Sequence, residues 1–322
     1  MKKTTLSARV ALAVTALASS FAQADMGLSA NIELDTDIAK ASGQQTAYDQ
    51  GGRIEVNVTG EKQVGDFTVS GKGSALIKKD GSAASDDMWV KFAGSNWSLQ
   101  AGRFEAINLF PLGKDTVVSH AGDGSAQVYE ANLVRGRAGD NGGQFAVRYQ
   151  PAESISLELD TLWGDADASG NNTDAFSGIR PSVTFSNGDL TLTAGAERMK
   201  YDLTGGGSVD KQGAALTGAL NLNGAAINLN ATHLKDKVTD TKVMTLGANV
   251  TMGSMGLGII HATTDTGSGA NPKVLTAYGA YTIAFADIPD ASVTLALSSS
   301  KATDAGPEDR RTVFRTRINY TF

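Results

Sequence analysis

From residue 26 to the end, the chain alternates apolar and polar side chains with a period of two, and this limits the folds open to it. Leu28, Ala30, Ile32 and Leu34 fall on one side of an extended segment, and Ser29, Asn31, Glu33 and Asp35 on the other. Successive side chains of a strand point to opposite faces, so this segment is a strand with one oily and one wet face. The pattern recurs at Ile54, Val56 and Val58, at Met88, Val90 and Phe92, at Leu190, Leu192 and Ala194, at Met244, Leu246 and Ala248, and at Ile318, Tyr320 and Phe322; sixteen candidate strands can be counted. After residue 24 there is no run of about 18 apolar residues, so an α-helical membrane protein is excluded. In hydrocarbon a sheet must close on itself, because lipid offers its edges no hydrogen bonds. A barrel and a secreted β-sandwich both fit the alternation, and the connections distinguish them.

Short connections are read at 94–96, 151–154, 186–189, 221–224 and 253–254, and long polar ones near 39–52, 78–87, 104–143, 164–177, 202–212, 235–242, 264–273 and 300–310. Sorting of this kind, with tight turns on one side and longer loops on the other, is the habit of outer-membrane barrels. Asn187-Gly188 and Asn223-Gly224 are dipeptides that favour tight hairpins. Aromatic residues gather at strand ends, where Trp97, Tyr149, Trp163, Phe185, Phe285, Tyr320 and Phe322 suit the level of lipid headgroups.

The N-terminus reads as a secretory leader: Lys2 and Lys3, an apolar run from Val10 to Phe21, then Ala22-Gln23-Ala24. The run is too short to anchor the chain across a bilayer. Residues 1–24 are therefore expected to be a signal peptide and 25–322 a single barrel domain. Loss of Lys2, Lys3 and Arg9 with the leader shifts the formal charge from −6 to about −9. That acidity argues against nucleic acid as a partner, since phosphates require a basic face. With no cysteine, neither disulfides nor thiolate metal sites are available.

Two segments carry a family resemblance. Arg317-Ile318-Asn319-Tyr320-Thr321-Phe322 is similar to the C-terminal signal, with Phe322 last and Tyr320 two places before it, that the barrel-assembly machinery reads. Leu99-Gln100-Ala101-Gly102-Arg103-Phe104, followed by about 40 residues of weak alternation, resembles the end of the fifth strand and the long third loop of Gram-negative general diffusion porins. The acidic-Phe-Gly-Gly signature of enterobacterial members is absent from that loop. The resemblance implies an all-β, transmembrane, antiparallel up-and-down barrel of about sixteen strands, with fourteen and eighteen left open, whose third loop folds into the lumen. It further implies an outer-membrane homotrimer among lipids and lipopolysaccharide that passes small hydrophilic solutes and ions and needs no cofactor.

The alternation also assigns lumen-facing charges. Arg53, Lys72, Lys91, Arg148, Arg180, Arg315 and Arg317 are expected inside, sharing the interior with Glu33, Asp35, Glu55, Glu158 and Asp160. Because the last strand must close on the first, Arg53, Lys72, Lys91, Arg315 and Arg317 form a plausible basic wall. The inward loop offers Glu105, Asp115, Asp123 and Glu130 as an opposing acidic rim, although Lys114, Arg135 and Arg137 lie in the same stretch. The plain reading is that such charges only keep the lumen wet. His120, His233 and His261 are far apart, and no Gly-x-Ser-x-Gly elbow accompanies them, so hydrolase chemistry is not supported. Asp165 to Gly170 starts like a calcium loop, but Phe176 stands where a bidentate Glu is needed. A general diffusion pore is the first functional reading and an oligosaccharide-selective channel the alternative. Trp89 and Tyr278 are the main inward aromatics, and an adhesin ranks last. The leader reading predicts a mature N-terminus at Asp25, and mass spectrometry of the membrane-inserted protein checks it: retention of residues 1–24 would refute it.

Overall fold

The computed structural model describes residues 25–114, 116–138, 142–166, 172–203, 206–267, 269, 271–286 and 288–322. The expected leader, residue 115 and the centre of the calcium-like stretch, 167–170, lie outside these. Sixteen strands follow in chain order: β1 (Asp25–Ala41), β2 (Ala47–Val64), β3 (Phe67–Lys78), β4 (Ala83–Ala93), β5 (Trp97–Arg103), β6 (Gly143–Ala152), β7 (Ile155–Ala166), β8 (Asn172–Asn187), β9 (Leu190–Asp202), β10 (Ser208–Leu222), β11 (Ala225–Asp236), β12 (Lys242–Met252), β13 (Met255–Asp265), β14 (Lys273–Ala284), β15 (Ala291–Thr303) and β16 (Arg310–Thr321). Each pairs antiparallel with its sequence neighbour, and β16 pairs with β1 to close the barrel. At the seam, the Ala30 amide donates to the Phe322 carbonyl at 2.7 Å and the Phe322 amide to the Ala30 carbonyl at 2.9 Å.

The two faces of the sheet are sorted opposite to those of a soluble sandwich. Leu192, Leu229, Leu246, Leu257, Leu297 and Ile318 are exposed on the outside, while Thr245, Thr264, Thr276 and Ser298 are buried within. An apolar outer surface is what hydrocarbon selects. Exposed aromatics ring the end that carries the short turns: Phe67 and Trp97 meet edge-on at 6.0 Å between centroids, and Tyr320 stacks on Phe322 at 5.6 Å. At the opposite, loop end, Phe145 and Trp163 stack at 6.2 Å.

The turns at Asn223-Gly224 have both central residues at positive φ, 50° and 82°, as a type I′ hairpin requires. Asn187, by contrast, pairs with Leu190, so Gly188 and Asp189 are the central pair. Gly188 alone has positive φ, 58°, as in a type II′ turn. Most loops are shorter than their polar sequences suggest. The stretch expected as loop over 39–52 is only 42–46, because β1 and β2 stay paired through Ala39 and Ala47. Beyond the lipid band the outward positions turn polar, as at Thr36, Lys40 and Gln50, so alternation of hydrophobicity fades while backbone pairing continues. The connection at 285–290, on the turn end, is as long as several loops at the other end, so the sorting of turn lengths is looser than expected.

Leu246 sits in the middle of β12, whereas Leu192 is near the turn end of β9. The cost of a charge in the lipid band depends on depth, so Leu246→Arg should destabilise the folded barrel by about 2–4 kcal/mol and Leu192→Arg by less. Urea unfolding in lipid vesicles measures both, and equal tolerance at the two positions contradicts the assignment.

Candidate functional site

Between β5 and β6, residues 104–114 and 116–138 fold into the barrel and lie along the inner wall of β7–β15. Their backbone has no strand partner there, and the wall's side chains supply one. On β7 the Glu158 carboxylate accepts from the Ile107 amide at 2.9 Å. Thr217 donates to the Leu109 carbonyl at 2.7 Å, and Asn230 and Asn249 donate to the Pro111 carbonyl at 2.9 and 2.8 Å. The Tyr278 hydroxyl donates to the Leu112 carbonyl at 2.9 Å. Thr245, Thr264, Ser298 and Ser300 accept from the amides of Tyr129, Gln127, Ser119 and Ala121 at 2.9–3.0 Å. Buried backbone groups require partners, and each such bond contributes about 0.5–1.5 kcal/mol net.

Glu197 on β9 is the most heavily used of these anchors. Its carboxylate accepts from the Tyr129 hydroxyl at 2.5 Å and from the Leu133 and Val134 amides at 2.9 and 3.1 Å, and pairs with Arg180 at 3.3 Å. Burial, and then the Glu197 charge, push the Tyr129 phenol above its ordinary pKa and keep it a donor. Inward glycines make room for the loop. A Cβ on Gly195 would lie 2.5 Å from Leu109, one on Gly247 2.7 Å from Phe110 and one on Gly178 2.9 Å from Val134, and one on Gly213 would overlap the Tyr129 hydroxyl. Arg103 staples the start of the segment to its end, donating to the Asp86 carbonyl at 2.8 Å and to the Ala138 carbonyl.

With that half of the wall covered, the remaining inner wall, β16 and β1–β4, carries a chain of ion pairs in which the sign alternates at every step. It runs Asp37–Arg315 (2.6 Å), Arg315–Asp35 (3.3 Å), Asp35–Arg317 (2.7 Å), Arg317–Glu33 (3.7 Å) and Glu33–Arg53 (3.2 Å). It continues Arg53–Glu55 (3.7 Å), Glu55–Lys72 (3.9 Å) and Lys72–Asp87 (2.8 Å), then crosses to the loop as Asp87–Arg137 (2.7 Å), Arg137–Glu105 (3.1 Å) and Glu105–Arg135 (2.8 Å). Asp86 also meets Arg137, at 3.1 Å, so seven acids and six bases leave the network close to balance with one acid in excess. The register builds it, since Asp35 stands opposite Arg317, Asp37 opposite Arg315 and Glu33 opposite Arg53. Clefts of about 330 and 360 Å³ open beside the loop, the first lined by Glu105, Ile107, Arg148 and Glu158 and the second by Phe110, Leu112, Glu130 and Arg135.

This arrangement brings together only part of the expected site. Arg53, Lys72, Arg315 and Arg317 do share one wall, but interleaved with carboxylates and not as a bare basic surface. Glu105 joins the same chain through loop arginines, and the wall-to-loop contact has the reverse polarity, an acid on the wall meeting a base on the loop. Lys91 stands apart, its ammonium 5.9 Å from the Trp89 ring. Arg148 pairs with Glu158 at 2.6 Å and donates to Gln100 at 2.7 Å. Arg180 is fully buried beneath the loop and does not reach the open lumen. Glu130 lies 3.9 Å from His120, Asp123 is exposed in a turn at the loop end, and Asp115 is outside the described residues. Asp37, Asp87 and Glu197 were missed. Alternation marks all three as polar positions, but the partner of Asp37 comes from β16, and those of Asp87 and Glu197 include residues of the inward loop. Replacing Gly213 by Leu should displace Tyr129, loosen the loop and raise single-channel conductance and its noise in planar bilayers while the barrel stays heat-resistant; unchanged current would show that the loop does not narrow the pore.

Comparisons with known proteins agree with this geometry. Structures of similar fold include an anion-selective porin from Comamonas acidovorans (TM-score 0.67, 15% identity, 93% of this chain and 100% of that one). Others are OmpT from Vibrio cholerae in its trimer form (0.66, 13%, 92% and 99%) and a mutant of the Rh. blastica porin (0.61, 16%, 92% and 100%). Among curated proteins none matches. The family described as porin-like glycoporin RafY matches residues 14–266, most of the chain. A closed sixteen-strand barrel, oily outside and charged within, together with that match, places this chain in that porin family as an outer-membrane channel.

Proposed function

We propose that the channel passes small hydrophilic solutes and ions by diffusion, with little preference for the sign of their charge, and makes no chemical change to them. The observation that supports this is the nearly balanced, alternating chain of ion pairs along the uncovered wall. Charges act strongly in a narrow, partly desolvated gap, but neighbours of opposite sign within 4 Å cancel at the distance of a passing ion. His120 donates to or accepts from Thr276 at 2.7 Å, and His233 and His261 are exposed on the outer face of β11 and β13, which favours no hydrolytic centre.

The family description as a glycoporin favours a second reading, an oligosaccharide-selective channel. Among the inward aromatics of the wall, Tyr278 is buried with its hydroxyl on the loop and Tyr201 is buried against Val134 and Ala138, leaving Trp89 as a platform for a sugar ring. Assembly as a homotrimer follows the porin named above in its trimer form. Phe322 and Tyr320 are proposed as the signal read by the assembly machinery, and residues 1–24 as the leader.

Planar-bilayer recording tests the reading. The parent should conduct with a cation-to-anion permeability ratio near one and without oligosaccharide block. Neutralising Arg53, Lys72 and Arg315 together strips partners from Glu33, Glu55, Asp35, Asp37 and Asp87, so selectivity should shift several-fold toward cations. Concentration-dependent block by an added oligosaccharide would favour the second reading, and unchanged selectivity in the triple variant would remove the ion-pair chain from the pore.

A further inference from the structure

Two of the bases that alternation assigns to the lumen, Lys91 and Arg148, stand outside the chain of ion pairs and face the passage toward its turn end. Lys91 on β4 is directly opposite Ser70 on β3 and Gln100 on β5. Arg148 on β6 reaches Gln100 from the other side, its Nη1 donating to the Gln100 Oε1 at 2.7 Å. The two cations therefore lie two strands apart with one amide between them. Trp89, half-buried on the same face of β4, has Gly102 opposite it, so β5 places no side chain against the indole.

The groups around Gln100 offer donors and lack acceptors. Arg148 occupies the Gln100 Oε1, and the amide nitrogen of Gln100 has no partner among the described residues. Arg148 gives Nε to Glu158 at 2.6 Å and Nη1 to Gln100, and its Nη2 has no partner among the described residues. Lys91 has neither a carboxylate nor a hydrogen-bond partner among them. Its ammonium is 5.9 Å from the Trp89 centroid, at the outer limit of cation–π attraction. Glu158 is occupied on both oxygens, by Arg148 and by the Ile107 amide. Glu61, opposite Ser70 on β2, is exposed, and no ion pair joins it to Lys91. With Arg148 balanced by Glu158, Lys91 leaves the patch with one uncompensated positive charge.

We propose that Lys91, Gln100 and Arg148 hold the carboxylate of a hexuronic acid whose ring lies against Trp89. The inference rests on the diffusion reading above and names one class of hydrophilic solute that pauses in the passage. A carboxylate supplies the acceptors that the patch lacks, taking charge-assisted hydrogen bonds from Lys91 and from Arg148 Nη2 and a further bond from the Gln100 amide. An aromatic face with a few polar groups around it is the usual means of orienting a small ligand. Beside Arg148 opens the cleft of about 330 Å³, with Ser156, Ser182 and Thr184 in its lining. Those hydroxyls suit a ring that itself carries hydroxyls, which favours a sugar acid over an aromatic one. The single positive charge here offsets the one excess acid of the wall, so small ions still pass with little regard to sign.

The full chain is inserted into planar bilayers in potassium chloride, and galacturonate, its methyl ester or acetate is added while the open-channel current is recorded. The ester keeps the ring and loses the charge, and acetate keeps the charge without a ring. Galacturonate should interrupt the current half-maximally at a concentration at least ten-fold below that needed of either control. K91Q should lose that ten-fold preference and K91R should keep it, as should K242Q, at the loop end of β12. Single-channel currents from each variant show that it is folded and inserted. Equal interruption by the ester or by acetate, no interruption by galacturonate, or an undiminished preference in K91Q each overturns the proposal. The diffusion reading survives all of these outcomes and fails only if the parent protein carries no current.

Discussion

An unpaired backbone amide or carbonyl costs several kcal/mol in hydrocarbon, and nearly every feature of this chain follows from avoiding that cost. Strands pair from β1 to β16, and the exchange of bonds between Ala30 and Phe322 removes the last edges. The same requirement governs the inside. Residues 104–114 and 116–138 lie against the inner wall without forming a strand, and they can stay there because threonines, serines and asparagines of the wall bond to their backbone. In this barrel the inward polar face is thus a set of hydrogen-bond partners for one loop across β7–β15, and water serves the remaining part.

That division explains the position of the charges. Where the loop covers the wall, the inward residues are small or neutral, apart from the buried group around Glu197 and Arg180 with their acidic neighbours and the Lys211–Asp236 pair at the loop end. Where the wall is open, they are ionised and paired in register. Isolated charges in a narrow lumen would be poorly solvated, and adjacent opposite charges stabilise one another while still presenting a polar surface to solutes. Arg137 is the link between the two regions: it extends the chain of pairs from Asp87 on the wall to Glu105 at the root of the loop.

Much of the fold was legible because a period of two is a direct record of which side faces lipid. The strand count could be read in this way, whereas the end of β5 at Gly102-Arg103 and the inward course of the following segment were implied by the resemblance to general diffusion porins. Loop lengths could not, since outside the lipid band nothing obliges outward residues such as Lys40 or Gln50 to be apolar. The site was half legible. Alternation identified Arg53, Lys72, Arg315 and Arg317 as inward, but the sign of a neighbour depends on register across the seam, where residue 35 meets residue 317. Arg180 looked the same in sequence as Arg148, and only the position of Ala131 and Val134 above it decides that it is buried.

The loop's route also has a mechanical meaning. A ring of strands resists stretching along its hydrogen bonds but flattens readily, because neighbouring strands can hinge about one another. A segment fixed at many points along an arc, from Glu158 on β7 to Ser300 on β15, stiffens that arc as a rib stiffens a hoop. Bending is then concentrated in the sector of β1–β3, where the wall is held by salt bridges and not by the loop. Changes in bilayer lateral pressure would accordingly be felt on the open, charged side of the passage, leaving the covered side almost unaltered in shape.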